Sequence, residues 1–177
     1  MSRKSAVMFA AGLVLTWSAC VGSAQQPQAS NPADVVPDKM PFDIPYGAPI
    51  TLERAEAAIN AAVAESRKRG WKMNVAVVDS GGNLVAFQRM DGAQLASIRI
   101  AQHKARAAAT FRRETKVFET GINVNHLNAL ITLDGVIGSR GGIPLIEGGR
   151  LIGAIGCSGG TGSQDEVVCS VAAQTFK

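Results

Sequence analysis

The chain has 177 residues, 46% of them hydrophobic, which is the size of one domain with room for a real core. Its formal charge of +4 becomes +4 − 2 = +2 once Arg3 and Lys4 leave with the leader described next, too small an excess for a nucleic-acid surface. Two histidines and three cysteines make no zinc cluster of recognisable spacing, and the CxxCH motif of covalent haem attachment is absent.

Residues 1–24 read as a secretory signal peptide. Arg3 and Lys4 give the basic start, Ala6 to Trp17 the apolar segment, and Gly22, Ser23 and Ala24 the small-residue cleavage site. The apolar segment is too short to span a bilayer, and no other segment has the roughly eighteen consecutive apolar residues of a membrane helix. The expected location is therefore periplasmic or secreted, with no membrane span. Cys20 raises a lipoprotein alternative, but Trp17, Ser18 and Ala19 lack the leucine usual three positions before a lipidated cysteine.

Residues 25–50 form a proline-rich tether holding six of the seven prolines, which fix φ and remove donors. Its second half, MPFDIPYGAPI, carries Met40, Phe42, Ile44, Tyr46 and Ile50, enough apolar area to pack on the domain or on a neighbouring subunit.

Residues 51–177 are the domain. Thr51 offers an N-cap, Glu53 suits the first turn, and Leu52, Ala55, Ile59, Ala62 and Val63 recur at helical spacing up to Gly70. MNVAVVD and NLVAFQR, separated by Ser80, Gly81 and Gly82, read as an antiparallel hairpin. Gln94 to Phe111 is an alanine-rich helix with Leu95, Ile98, Ala101, Ala105 and Ala108 on one stripe, narrow enough for another backbone to come close. FRRETKVFETGINVNHLNAL is expected as short helical pieces broken at Gly121. Ile143 to Glu147 and Arg150 to Cys157 form a second hairpin with a Gly148 and Gly149 turn, and Ser163 with Glu166 a capping box for a last helix. Hairpins mixed with helices imply an α+β sandwich on an antiparallel sheet.

Within the second hairpin, GCSGG matches the GxSxG pattern of serine hydrolases. Both histidines, His103 and His126, precede Ser158, whereas the elbow serine of α/β-hydrolases is followed by its histidine. A P-loop would need a GK pair and a dinucleotide loop GxGxxG, and neither occurs. Two readings of the following glycines stay open: their amides receive an anionic group beside a helix N-terminus, or they only close a turn. Cys157 and Cys169 likewise leave a disulfide or two buried thiols. His103 lies off the apolar stripe, with Arg99 four residues before it and Lys104 and Arg106 beside it. That pattern suits a metal-binding imidazole near cations for carboxylates. His126 is a second candidate.

From Thr51 to Phe176 the chain resembles the GlcG/HbpS family, also described as haem-binding or haem-degrading domains and found at the end of some corrinoid adenosyltransferases. The resemblance rests on NVAVVDSGGNLVAFQRMDGA, SIRIAQHKARAAATF, LDGVIGSRGGIP and LIGAIGCSGGTGSQDE, four motifs in one order. It implies a profilin-like fold with a central antiparallel sheet flanked by helices, a homo-oligomer, and for some members non-covalent binding of haem or a related tetrapyrrole. The tetrapyrrole-binding histidine of some relatives lies in the first helix, and this chain has none there.

The leading expectation is an exported protein binding haem or a similar planar molecule. His103 would be the iron ligand, or Thr110 a weaker one. Lys104, Arg106 or Arg140 would face the propionates, with Gly159 and Gly160 admitting a flat ring. The alternatives are a small enzyme or accessory protein of hydroxy-acid or aromatic catabolism, with Asp79, Asp91, Asp134 and Asp165 as acid or base groups, and an extracytoplasmic redox or stress sensor.

Overall fold

The computed structural model describes residues 34–176. The leader, Cys20 and the first part of the tether lie outside the described residues. Helix α1 spans Leu52–Lys68 and the first hairpin is β1, Asn74–Asp79, with β2, Leu84–Arg89. Helices α2, Ser97–Thr110, and α3, Lys116–Asn123, follow, then a 3-10 turn at Asn128–Thr132. The second hairpin is β3, Gly142–Glu147, with β4, Arg150–Ser158, and α4 runs over Gly162–Ala173.

The four strands form one antiparallel sheet in the order β2-β1-β4-β3, so the two hairpins join through their β1 and β4 members. Alternation along the strands, reset in β4 where the register with β3 shifts between Leu145 and Ile146, sends side chains to two cores. Val75, Val77, Ile152 and Ile155 meet α1 and α4 on one face, with Ala58, Ile59, Ala62 and Val168. Ala76, Val78, Leu151 and Ala154 meet α2 on the other, with Ala101, Ala105 and Ala108. The result is the expected α+β sandwich, with helices on both faces of an antiparallel sheet.

Two glycines set the distance on the α2 face. Gly142 and Gly156 are cross-strand partners, and a Cβ on Gly156 would run into the Ala101 carbonyl oxygen and the Ala105 amide nitrogen. A Cβ on Gly142 would meet the Lys104 carbonyl oxygen. The alanine-rich helix thus rests its backbone directly on the sheet.

Local signals act where their chemistry is strongest. Thr51 caps α1 and Gly70, at φ 70°, follows its end. Gly148 and Gly149, at φ 54° and 74°, make the hairpin turn. Asp79 organises the first turn, accepting from the Gly81 amide at 2.8 Å and the Asn83 amide at 2.9 Å. Burial raises its pKa, but the bonds from Asn83, Gly81 and Gly82 together outweigh this and hold it below the ordinary value.

Three local expectations shift. The capping box of α4 is Thr161 with Gln164, two residues before Ser163 and Glu166, because Thr161 takes the extended conformation (ψ 158°) from which its hydroxyl meets the Gln164 amide. Gly121 lies inside α3 rather than breaking it; it is bare because Leu130 packs there, where a Cβ would collide with Leu130 Cδ1. Leu95 precedes α2 and is 70% exposed, so the buried stripe starts later. The tether's second half does pack on the domain: Leu151 donates to the Pro45 carbonyl at 2.9 Å and its carbonyl accepts from Gly47 at 2.7 Å. The Tyr46 hydroxyl donates to the Thr110 carbonyl at 2.9 Å.

Gly156→Ala is expected to destabilise by at least about 3 kcal/mol in denaturant melts, since backbone must move, whereas Gly148→Ala meets open space and costs only about 1 kcal/mol for its positive φ. Asp79→Ala should lose about 1 kcal/mol at neutral pH. Because the native pKa is depressed, that stabilisation is present above the ordinary carboxylate pKa and disappears as the pH falls through the native one. Melts of both proteins from pH 7 down to about pH 2 should therefore converge at the acid end.

Candidate functional site

Helix α2 carries polar side chains on two faces. At about 100° per residue, Arg99, His103, Arg106 and Thr110 fall within about 60° of one another on the outer side. Arg99, Arg106 and Thr110 are exposed and His103 is half-buried. His103 Nε2 lies 3.1 Å from the carbonyl oxygen of Gly135, which can only accept, so Nε2 carries a proton and, in the neutral ring, Nδ1 carries the lone pair. Among the described residues no hydrogen bond engages Nδ1. Arg106 Nε donates to the Gly82 carbonyl at 3.2 Å, tying the stripe to the first hairpin turn, and the Thr110 hydroxyl is spent on the Arg106 carbonyl at 2.9 Å.

Lys104 points the other way. Its side chain is 1% exposed and its ammonium donates to Asp165 Oδ2 at 2.7 Å across to α4. The second oxygen of Asp165 accepts from the amides of Gly159 and Gly160, both at 3.1 Å. Burial pushes the Asp165 carboxyl above its ordinary pKa, against the pull of Lys104 and the two amides. The amides that sequence offered to an external anion are thus filled by the protein's own carboxylate. Lys104 is engaged with that same group, away from His103.

Arg140 belongs to a third arrangement. It donates from Nε to Glu119 Oε1 at 2.7 Å and from Nη1 to Glu166 Oε2 at 3.2 Å, while Lys116 meets Glu166 at 2.8 Å. Of the seven residues singled out, then, His103, Arg106 and Thr110 share one face of α2, Lys104, Gly159 and Gly160 meet through Asp165, and Arg140 stands in an ion network on α3 and α4. Asp165 was visible in sequence only as one of four scattered acids. Arg99, one helical turn from His103, completes the outer stripe.

The remaining motif residues have structural partners. Ser158 is 3% exposed and its hydroxyl donates to Ser97 Oγ at 3.0 Å, with no histidine in contact among the described residues. Cys157 and Cys169 are joined in a disulfide that ties β4 to α4, with Cα atoms 5.7 Å apart. Asp79 is held in its turn and Asp165 in its ion pair, so two of the four candidate acids already have structural tasks. His126 is exposed, in a positive-φ conformation at 55°.

A haem iron asks for a ligand whose orientation is fixed and whose other ring nitrogen is free, with cations near the propionates. His103 with Arg99 and Arg106 fits that demand; Lys104 and Arg140 are committed elsewhere. Among the described residues no His, Cys, Asp and Glu side chains cluster as a metal site, and no helix is long and apolar enough to cross a membrane.

Comparison with known proteins places the chain among relatives. A family model described as "Haem degrading protein HbpS-like" matches residues 50–174. Protein GlcG of Escherichia coli (strain K12) is 41% identical over 109 residues, 62% of this chain and 81% of that protein. The crystal structure of a Streptomyces reticuli HbpS double mutant superposes with a TM-score of 0.68 at 28% identity, covering 87% of this chain and 99% of that one. A PduOC:heme complex has a TM-score of 0.66 over 73% of this chain and 96% of that one, and at 24% identity that likeness shows the fold alone.

Lys104→Met leaves the Asp165 carboxylate buried without its cation, and a loss of about 3–5 kcal/mol is expected in denaturant melts. Adding Asp165→Asn to Lys104→Met, which removes the charge but keeps an oxygen for Gly159 and Gly160, should recover part of the loss.

Proposed function

The chain belongs to the HbpS-like family, and from that premise we propose that it binds haem or a related tetrapyrrole non-covalently. The observation that carries the reading is the family match over residues 50–174, whose description is haem degradation. His103 supplies the iron ligand through Nδ1, while Gly135 holds the proton on Nε2 and so fixes the ring. Arg99 and Arg106, on the same face, pair with the propionates. When bound, the iron would bring the redox chemistry of the porphyrin; this chain's residues bind, orient and neutralise it.

The reading includes export and self-association. Export is supported by the leader-like residues 1–24 and by a disulfide, which persists in oxidising compartments. Self-association is supported by the exposed apolar side chains of Val124, Ile131 and Leu133, in the chain leading up to Gly135.

Haem titration followed by Soret absorbance is expected to show a saturable shift at micromolar haem that His103→Ala abolishes. Arg106→Gln should weaken binding about tenfold while leaving the spectrum of the bound form unchanged. No shift in the unaltered protein, or an unchanged shift in His103→Ala, removes His103 as ligand.

A further inference from the structure

A groove of 790 Å³ runs along the edge strand β3, away from the α2 stripe. Phe42 and Ile44 of the tether wall one side, Ile143, Pro144 and Ile146 of β3 and Phe176 the rest, and Arg112 and Arg113 enter it from the turn after α2. None of Arg99, His103 or Arg106 lines it. Its volume lies within the roughly 300–1,000 Å³ of small-molecule sites.

The two arginines are unusual in their company. Arg112 donates from Nη1 to the Ile44 carbonyl at 3.1 Å, and Arg113 from Nε to the Phe111 carbonyl at 3.0 Å. The Arg113 guanidinium lies 3.4 Å from the Phe42 ring centroid and 5.5 Å from that of Phe118. Among the described residues no carboxylate comes within salt-bridge distance of either guanidinium. Two adjacent cations, set in apolar and aromatic surroundings and matched only by carbonyls, leave N–H donors without an anion. Burial, with Arg112 alongside, lowers the Arg113 pKa.

Backbone strain converges on the same groove. Three non-glycine residues have positive φ among the described residues, and two of them, Phe42 at 67° and Arg112 at 53°, line it. Arg112 follows the C-cap of α2, and the Arg113 amide closes onto the Ala108 carbonyl at 3.2 Å. That is the helix-ending position at which glycine is preferred. An arginine there is held against its backbone preference, which points to a use for its side chain.

We infer that the groove binds a small organic acid with an apolar body, its carboxylate between the Arg112 and Arg113 guanidiniums and its body against Ile143, Ile146 and Phe176. Planar guanidiniums match a carboxylate with paired N–H donors, and weak hydration lets them do so in a partly dry groove. Asp43 and Glu114 also line the groove, and their charge favours a monocarboxylate over a dicarboxylate. No histidine or cysteine lines it, so the groove offers a haem iron neither imidazole nor thiolate.

Calorimetric titration of the purified protein with octanoate and with octan-1-ol tests this, because the two probes share a chain and differ in charge. Octanoate should saturate, at least about tenfold more tightly than the alcohol, and Arg112→Gly should erase that preference. Glycine relieves the positive φ and so offsets the lost bond to the Ile44 carbonyl, and this variant should melt close to the unaltered protein, separating lost binding from lost folding. Equal binding of the two probes, or unchanged octanoate binding in Arg112→Gly, overturns the proposal. So does failure of octanoate to saturate, and sedimentation then tests whether a second copy of the chain covers the groove. The Soret shift should survive in Arg112→Gly. Its loss together with octanoate binding would return the groove to the tetrapyrrole and overturn the separate site, whereas failure of the His103 reading leaves the octanoate result standing.

Discussion

The contact on which the rest of the molecule depends is α2 lying backbone to backbone on Gly142 and Gly156. With the helix this low, its inner face has room only for Ala101, Ala105 and Ala108, and any longer side chain must leave along a flank or outward. Lys104 is such a chain. Its carbonyl already fills the space above Gly142, so its methylenes run along the flank and deliver the ammonium to Asp165. Asp165 in turn gathers the amides of Gly159 and Gly160, fixing how β4 hands over to α4. One helix–sheet distance therefore sets both the buried ion pair and the outward aim of the Arg99, His103 and Arg106 stripe.

Burying an ion pair of this kind is costly unless every partner is satisfied. Here one carboxylate oxygen takes the ammonium and the other takes two amides, so the acceptor sites of Asp165 are largely used. The alternative for the glycine loop was an external anion. The protein has supplied an internal one, and the disulfide from Cys157 to Cys169 closes the same β4–α4 junction a few residues away. A loop that looks permissive in sequence is in three dimensions among the more constrained parts of the chain.

What could be read from sequence follows from range. Caps, turns and periodicity act over a few residues, so Thr51, the Gly148 and Gly149 turn, the two hairpins and the narrowness of α2 were all legible. The position of the α4 cap was not, because Thr161 and Ser163 are equivalent hydroxyls until the loop's path selects one. Charged residues were the least legible. Arg99, Lys104, Arg106 and Arg140 are alike in composition and local pattern, and only tertiary packing sorts them into an outer stripe, a buried pair and a surface network. Helical geometry would have placed Arg99, His103 and Arg106 on one face and Lys104 off it, a distinction available from spacing. The partner that explains Lys104 lies 61 residues away and no local rule reaches it.

The histidine and the cavity do not coincide, and this separation bears on how the fold carries function. The α2 stripe offers a fixed imidazole with the exposed Arg99 and Arg106 beside it, and none of the three lines the groove. The β3 groove offers walls and two guanidiniums without a paired carboxylate among the described residues, but no histidine or cysteine for an iron. A flat ring laid on the stripe would therefore need cover from elsewhere, and Val124, Ile131 and Leu133 are exposed apolar side chains in the chain leading up to Gly135, which holds His103. The groove needs no such help, since the tether already closes its outer wall with Phe42 and Ile44. The tether packs on the domain at that wall, through its hydrogen bonds to Leu151 and Thr110 and through Arg112 on the Ile44 carbonyl and Arg113 on the Phe42 ring.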